Sequence, residues 1–242
     1  MRPCEALLFG CSLISHCVTD SVGAEPQGQN EFYAPVERLV EGWTVACDPQ
    51  LLSPRHAVVA ERTFKALANH LQRVEFTVPS NRLAELRSIR IWIDLKHPKL
   101  KSMQYHPSRD WLRNNGHDVR LAKHVHIPNA QNLVARHMWA KHPYVVLHEL
   151  AHGFHDQVLG FGHAELKAAW DQAKSTGILD EVLLHTGERG PHYGRTNHKE
   201  YFAESTEAYF GVNDFYPFVR SELKAHDPRM FSTLKTIWGP VP

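Results

Sequence analysis

Apolar positions along the chain recur at two different periods. Pro54 opens a stretch to about residue 74 in which Val58, Leu67, Leu71 and Val74 fall at broadly helical spacing, with Lys65 and Arg73 on the other side. Ile89, Ile91 and Ile93 then alternate, the mark of a strand, and Val125 and Ile127 in KHVHIPN form a second strand that Pro128 ends. Between them Ser108 caps a short helix through Trp111 and Leu112, closed by Gly116. Pro143 takes the first position of a helix, and YVVLHELAHGFHDQVL runs on to Gly160 and Gly162 as stops. Residues 164–175 form an amphipathic helix closed by Gly177, and residues 187–194 a loop rich in Gly, Pro and His. Asn197 caps a helix reaching about Gly211, and two short helices follow with Pro217 and Pro228 near their starts. Strands come early and helices late, which predicts an α+β fold rather than an alternating parallel sheet.

Composition adds bounds. The 242 residues suit a single domain, and 43% hydrophobic residues are enough to build its core. A net charge of +1 excludes a dedicated nucleic-acid binder, which would carry a basic excess. Residues 1–24 have a positive start at Arg2, a mostly apolar middle, and the small residues Gly23 and Ala24 before Glu25. That is the pattern of a secretory signal peptide, so a secreted or periplasmic location is expected. The apolar run is too short and too polar to span a membrane, and no membrane span is expected elsewhere. Cleavage would remove Cys4, Cys11 and Cys17 and leave Cys47, which reads as a plain buried thiol rather than a switch ligand. The expected organisation is one domain over 25–242, with an N-terminal lobe (25–142) and a helical C-terminal lobe (143–242). The 18 histidines are an excess whose meaning composition does not decide.

His148-Glu149-Leu150-Ala151-His152 is an HExxH motif. On a helix, positions four apart lie on one face, so both imidazoles reach one ion. Glu149 sits beside that ion, placed to take a proton from a bound water. Composition alone yields about 0.09 chance occurrences in a chain this rich in histidine, so the motif needs its context. The context is a strongly apolar helix (Val145, Val146, Leu147, Leu150), in which two histidines and a glutamate need partners. A site that leaves one position open to water takes three protein ligands. Val158 stands where one zincin class has its third histidine, and His155 reads as a supporting or surface residue. Glu165 reads as solvated, and Glu181 and Glu188 lack a rigid setting. Glu200, Glu204 and Glu207 share one face of an aromatic-rich helix. Spacing does not choose among them. Glu200 can also close a capping box with Asn197, and Glu204 or Glu207 can bind zinc or hold a ligand imidazole through its second nitrogen.

HELAHGFHD followed by HYGRTNHKEYFAESTEAYF resembles the catalytic domain of the lethal-factor-like zinc metallopeptidases, a branch of the glutamate zincins. The likeness is strong over residues 143–211. The segments YHPSRDWLRNNG and NDFYPFVRSELKAHDP are similar to secreted single-domain relatives. The resemblance implies a zincin-like metalloprotease fold, with a small mixed sheet in the N-terminal lobe, an HExxH active-site helix and a mostly helical C-terminal lobe. In that family the third ligand lies seven residues after the tyrosine of Tyr-Gly-Arg-Thr-Asn, a run that starts here at Tyr193 and so marks Glu200. The implied ligands of Zn2+ are His148, His152 and Glu200. Glu204 is implied to act behind them, and Tyr193 to point its hydroxyl at the zinc-bound oxygen, where a phenol donor stabilises an oxyanion. The family includes a large toxin whose docking domains this chain has no room for, so a toxin's delivery and substrate are not implied.

The reading is a secreted zinc-dependent metalloendopeptidase, a monomer acting on a peptide or protein through a zinc-bound water that Glu149 activates. A strand edge would pair with the substrate, and KHVHIPN is the candidate. Two alternatives stay open: a zinc amidase on a small amide, and a non-catalytic zinc-stabilised binding module at the cell surface. Glu149 and Tyr193 favour an enzyme, since a structural zinc site needs neither. His124, His126, His137 and His142 have no assigned chemistry and read as surface residues.

Overall fold

The structure, a computed structural model, describes residues 32–241. The expected signal segment, with Cys4, Cys11 and Cys17, lies outside the described residues. What is described is a mixed α+β fold, mostly helical, with a small mixed sheet. No helix among the described residues is long and apolar enough to cross a membrane.

Strands β1 (Val36–Val40) and β2 (Trp43–Cys47) form a hairpin through Glu41 and Gly42, both at positive φ (47° and 85°). Two successive left-handed residues make the tight turn whose twist suits paired strands, and glycine takes that conformation freely. The apolar pattern does not predict this hairpin because β1 is exposed along nearly its whole length and carries no buried face. A 3-10 turn at Pro54–His56 then leads into α1 (Ala57–Thr77). Leu67, Leu71 and Val74 are buried as expected, but Val58 is exposed and the stripe begins at Ala60 and Thr63 instead. The short helix α2 (Ser80–Arg87) follows, anchored by Leu83 and Leu86; two apolar residues are too few to stand out in the sequence.

Strands β3 (Arg90–Ile93), β4 (Gln104–Tyr105) and β5 (His124–Ile127) complete the sheet, with α3 (Arg109–Asn114) between β4 and β5. Ser108 caps α3 as expected, its hydroxyl accepting the Trp111 N–H at 3.1 Å. The strand order is β1-β2-β3-β5-β4, with β2, β3 and β5 parallel and the two outer strands antiparallel. The KHVHIPN strand is therefore internal, not the edge expected of it. Alternation identifies a strand but says nothing of its neighbours. The edge beside the HExxH helix is β4.

Each strand alternates between two faces. Val45, Cys47, Ile91, Ile93, Val125 and Ile127 join the main core with α1 and the HExxH helix. Cys47 is a buried free thiol there, pushed up to about 11 by burial. On the other face Ala46 and Trp92 pack under Leu112 and Leu121. His126 also lies on this covered face and is fully buried, which corrects its reading as a surface residue. Its Nε2 meets Asp94 Oδ2 at 2.9 Å, and its Nδ1 meets His106 Nε2 at 3.0 Å. Asp94 Oδ1 also accepts from the Tyr33 hydroxyl and, at 3.1 Å, from Trp92 Nε1.

Helix α4 (Arg136–Lys141) leads to α5 (Val145–Phe154), the HExxH helix, which starts two residues after Pro143. Gly153 lets α5 lie close to the sheet: a Cβ there would come within 2.8 Å of the Ile89 side chain. The chain continues as a π-helical turn, His155–Leu159, and stops at Gly160 with φ 77°. Next come α6 (Ala164–Ser175), the small hairpin β6 (Val182–Leu183) with β7 (Arg189–Gly190), and α7 (His198–Phe210). Helix α7 packs on α5, and α8 (Arg220–His226) and α9 (Pro228–Trp238) close the C-terminal side.

Candidate metal centre

Helices α5 and α7 face each other, and their polar side chains meet in an otherwise apolar interface. His148 Nε2 and His152 Nε2 stand 3.1 Å apart. Glu200 Oε2 lies 3.3 Å from the first and 3.2 Å from the second. Three ligand-type atoms within this spacing need a proton or a cation between them to offset lone-pair repulsion. Metal bonds of 2.0–2.1 Å in a tetrahedron put neighbouring ligand atoms about 3.3–3.4 Å apart, which these separations approach. The donor set, two imidazoles and one carboxylate, also suits a borderline-soft divalent ion.

A second group could also hold a metal ion: His142, His148, Glu204 and Glu207. Here the distances differ. Glu207 Oε1 lies 2.8 Å from His142 Nε2 and 2.7 Å from His148 Nδ1. These are charge-assisted hydrogen-bond lengths, shorter than the separation of two ligands on one ion. Glu207 therefore accepts from both imidazoles, and a proton on His148 Nδ1 leaves its Nε2 lone pair facing His152 and Glu200. The support expected of Glu204 is made at shorter range by Glu207, since Glu204 Oε1 stands 3.7 Å from His148 Nδ1. Glu200, Glu204 and Glu207 do share one helix face, but that face runs past His148, so Glu200 meets its Nε2 while Glu204 and Glu207 lie on the Nδ1 side.

The protonation pattern follows from burial and crowding. Burial disfavours a charged His148, yet its hydrogen bonds to the Glu200 and Glu207 carboxylates outweigh it and hold its pKa well above the usual value. Burial likewise opposes ionisation of Glu200, but His148 and His152 keep its carboxyl well below the usual carboxylate range. Glu207 is held down by His142 and His148 against the same burial penalty. Glu204, buried beside Glu207 with one oxygen unpartnered, is pushed up by burial and by the Glu207 charge. Glu200 and Glu207 are thus the carboxylates of the centre set against His142, His148 and His152.

Other parts are set by backbone. Asn197 Oδ1 accepts the N–H groups of Lys199 and Glu200 at 2.9 and 3.1 Å, so α7 begins where its pattern predicts. The Glu200 carboxylate is turned to the histidines rather than back to the cap. Glu149 Oε2 accepts the backbone N–H of Tyr105 on edge strand β4 at 2.8 Å. That bond fixes the carboxylate between the sheet edge and the histidines, and no signal in the sequence marks Tyr105. Tyr193 opens a 3-10 turn held by His192 Nδ1, which accepts the Gly194 N–H at 2.9 Å, and by Trp170 Nε1 on the Gly194 carbonyl at 3.0 Å. Its ring is 47% exposed and stacks on Phe215. Glu149, Tyr193, Glu200, both HExxH histidines and Gln104 of β4 line one cavity of about 690 Å³.

Besides His126, two more histidines depart from expectation. His142 is a centre residue rather than a surface one, brought in because the chain turns at Pro143 over the end of α7. His155 is fully buried, edge-on to Phe161 and Phe202, with neither ring nitrogen hydrogen-bonded among the described residues. Burial pushes its pKa down to about 3, so it is neutral. No family model matches the sequence, and neither a curated protein nor a solved structure matches the chain.

Proposed function

We propose that this protein is a zinc-dependent metallopeptidase of the zincin type, akin to the lethal-factor-like peptidases that its HExxH and Tyr-Gly-Arg-Thr-Asn segments resemble. The convergence of His148 Nε2, His152 Nε2 and Glu200 Oε2 within 3.1–3.3 Å carries the reading. These three side chains would hold the ion, and Glu207 would orient His148 from behind. Bound zinc supplies a Lewis acid that polarises a carbonyl and acidifies water.

The rest is the work of this chain's own residues. Glu149, anchored through one oxygen on the Tyr105 N–H, has its other oxygen to accept a proton from the attacking water. It then gives that proton to the departing amine. The Tyr193 hydroxyl, whose pKa is raised by burial and by Glu200, remains a donor for the oxyanion of the tetrahedral intermediate. An extended peptide would lie along β4, the sheet edge beside Glu149, by strand addition.

Peptide-library digestion followed by mass spectrometry tests this, with and without a chelator. Cleavage should occur, stop on chelation and return with zinc. Failure of every peptide, with hydrolysis of small acylated amides instead, would favour the amidase reading.

A further inference from the structure

A second cavity, of about 480 Å³, lies beside the first. Arg62, Lys65, Asn69 and Arg73 line it along one side of α1, and Val134 and Trp139 face them. The wall between the two cavities is a single stretch of chain. Asn132, Met138 and Lys141 line the catalytic cavity, while Val134 and Trp139 from the same stretch line the groove.

The groove's chemistry is one-sided. Three cations line it and no carboxylate does, on a chain whose net charge is only +1. Arg62 and Lys65 are exposed and make no ion pair among the described residues; exposed Glu61 precedes Arg62 but is not part of the lining. The floor is rigid. The Trp139 indole donates to the Leu133 carbonyl at 2.7 Å and stacks on buried His70, with ring centroids 4.3 Å apart. The Arg73 guanidinium sits over the same indole and donates to the Pro143 carbonyl at 3.1 Å. Lys101 continues the basic lining on the cleft side, where Lys141 is paired with Asp214 at 3.7 Å, and Arg136 is exposed on α4.

We propose that this groove is an exosite for an acidic stretch of the peptide substrate, reached by chain that leaves the catalytic cavity over α4. The inference rests on the peptidase reading for its occupant. A row of carboxylates would meet Lys101 at the cleft, then Lys65 and Arg62 in the groove, while Val134 and Trp139 take the aliphatic stems of glutamate side chains. A peptide fits this surface better than a nucleic acid: the free cations are few, and one face of Arg73 is already committed to Trp139 and Pro143.

The test uses the full chain carrying Glu149→Gln, so that bound peptide stays intact. Fluorescence anisotropy of a labelled hexaglutamate peptide should show saturable, salt-sensitive binding. Arg62→Glu with Lys65→Glu should weaken it by about tenfold, the sum of two surface charge contacts reversed. Lys65→Gln should shift it less in the same direction, and circular dichroism checks that each variant is folded. In the active protein, the double reversal should raise KM for peptides with an acidic extension while leaving cleavage of short neutral peptides unchanged. Unaltered hexaglutamate binding in the double variant overturns the exosite, as does tighter Arg62-dependent binding of a labelled oligothymidylate. Binding that needs Arg62 and Lys65 in a protein that cleaves no peptide would keep the groove as an acidic-peptide site and overturn the peptidase reading. Cleavage without any acidic preference would do the reverse.

Discussion

Two buried clusters of histidine and carboxylate occupy opposite sides of the sheet, and they use the same residue types differently. On the outer face, Asp94, His126 and His106 form a chain in which both His126 nitrogens have a partner, at 2.9 and 3.0 Å. Donors from Tyr33 and Trp92 complete the single carboxylate. At the α5–α7 interface the polar atoms converge instead, and His148, His152 and Glu200 turn three lone pairs toward one point. Glu149, Glu204 and Glu207 add further acids around it. A serial chain satisfies itself with protons. A convergent cluster with surplus acid is one that could hold a cation. Residue counts would not separate these two cases; direction does.

The comparison breaks most sharply on metal content. Wild type should hold about one zinc per chain after dialysis, and Glu200→Ala or His152→Ala should hold none, whereas His126→Asn should keep the full amount. Full zinc in Glu200→Ala, with loss in Glu207→Ala, would move the ion to the inner group of His142, His148, Glu204 and Glu207. Next in size, Glu149→Gln should retain zinc and lower kcat by about 10²–10⁴-fold, the usual contribution of a general base. A smaller effect is expected behind the ligands. Glu207→Gln should weaken zinc affinity by about 10–100-fold, and Glu204→Gln by less, by competition against a chromogenic chelator. Equal losses would remove the distinction drawn from 2.7 against 3.7 Å.

On the outer face the readout is stability. His126→Asn should cost about 1–3 kcal/mol in urea unfolding, because Asp94 and His106 lose a buried partner. The smallest effect is the pH slope with metal chelated. Burial pushes His106 down to about 3 and His70 to about 4, while an unfolded histidine titrates near 6.5. The unfolded chain therefore takes the proton first. Stability is complete above about pH 6.5 and falls toward pH 3–4 by at most about 1.4 kcal/mol per pH unit per group. A urea midpoint unchanged between pH 6.5 and 4 would show that these rings are not held neutral.

Much of the local architecture is readable before any coordinates. Asn197 caps α7 and Ser108 caps α3 because a side-chain oxygen and a nearby N–H are all that a cap requires. The HExxH pair falls on one helix face by helical period alone. Other elements leave weak traces. The β1–β2 hairpin has no buried alternation in its first strand, and α2 offers only two buried leucines.

What the chain order determines by itself is short-range: helix periods, caps and the four-residue spacing of His148 and His152, because these depend on neighbours along the backbone. Tertiary packing decides the rest. The order of the strands puts β5 inside and β4 at the edge. Helix–helix docking sets which acid of α7 meets which edge of His148. A second layer over the sheet buries His126, and a turn at Pro143 carries His142 to Glu207. Each depends on surfaces brought together from distant parts of the chain, and one-dimensional spacing does not encode which face another element will cover.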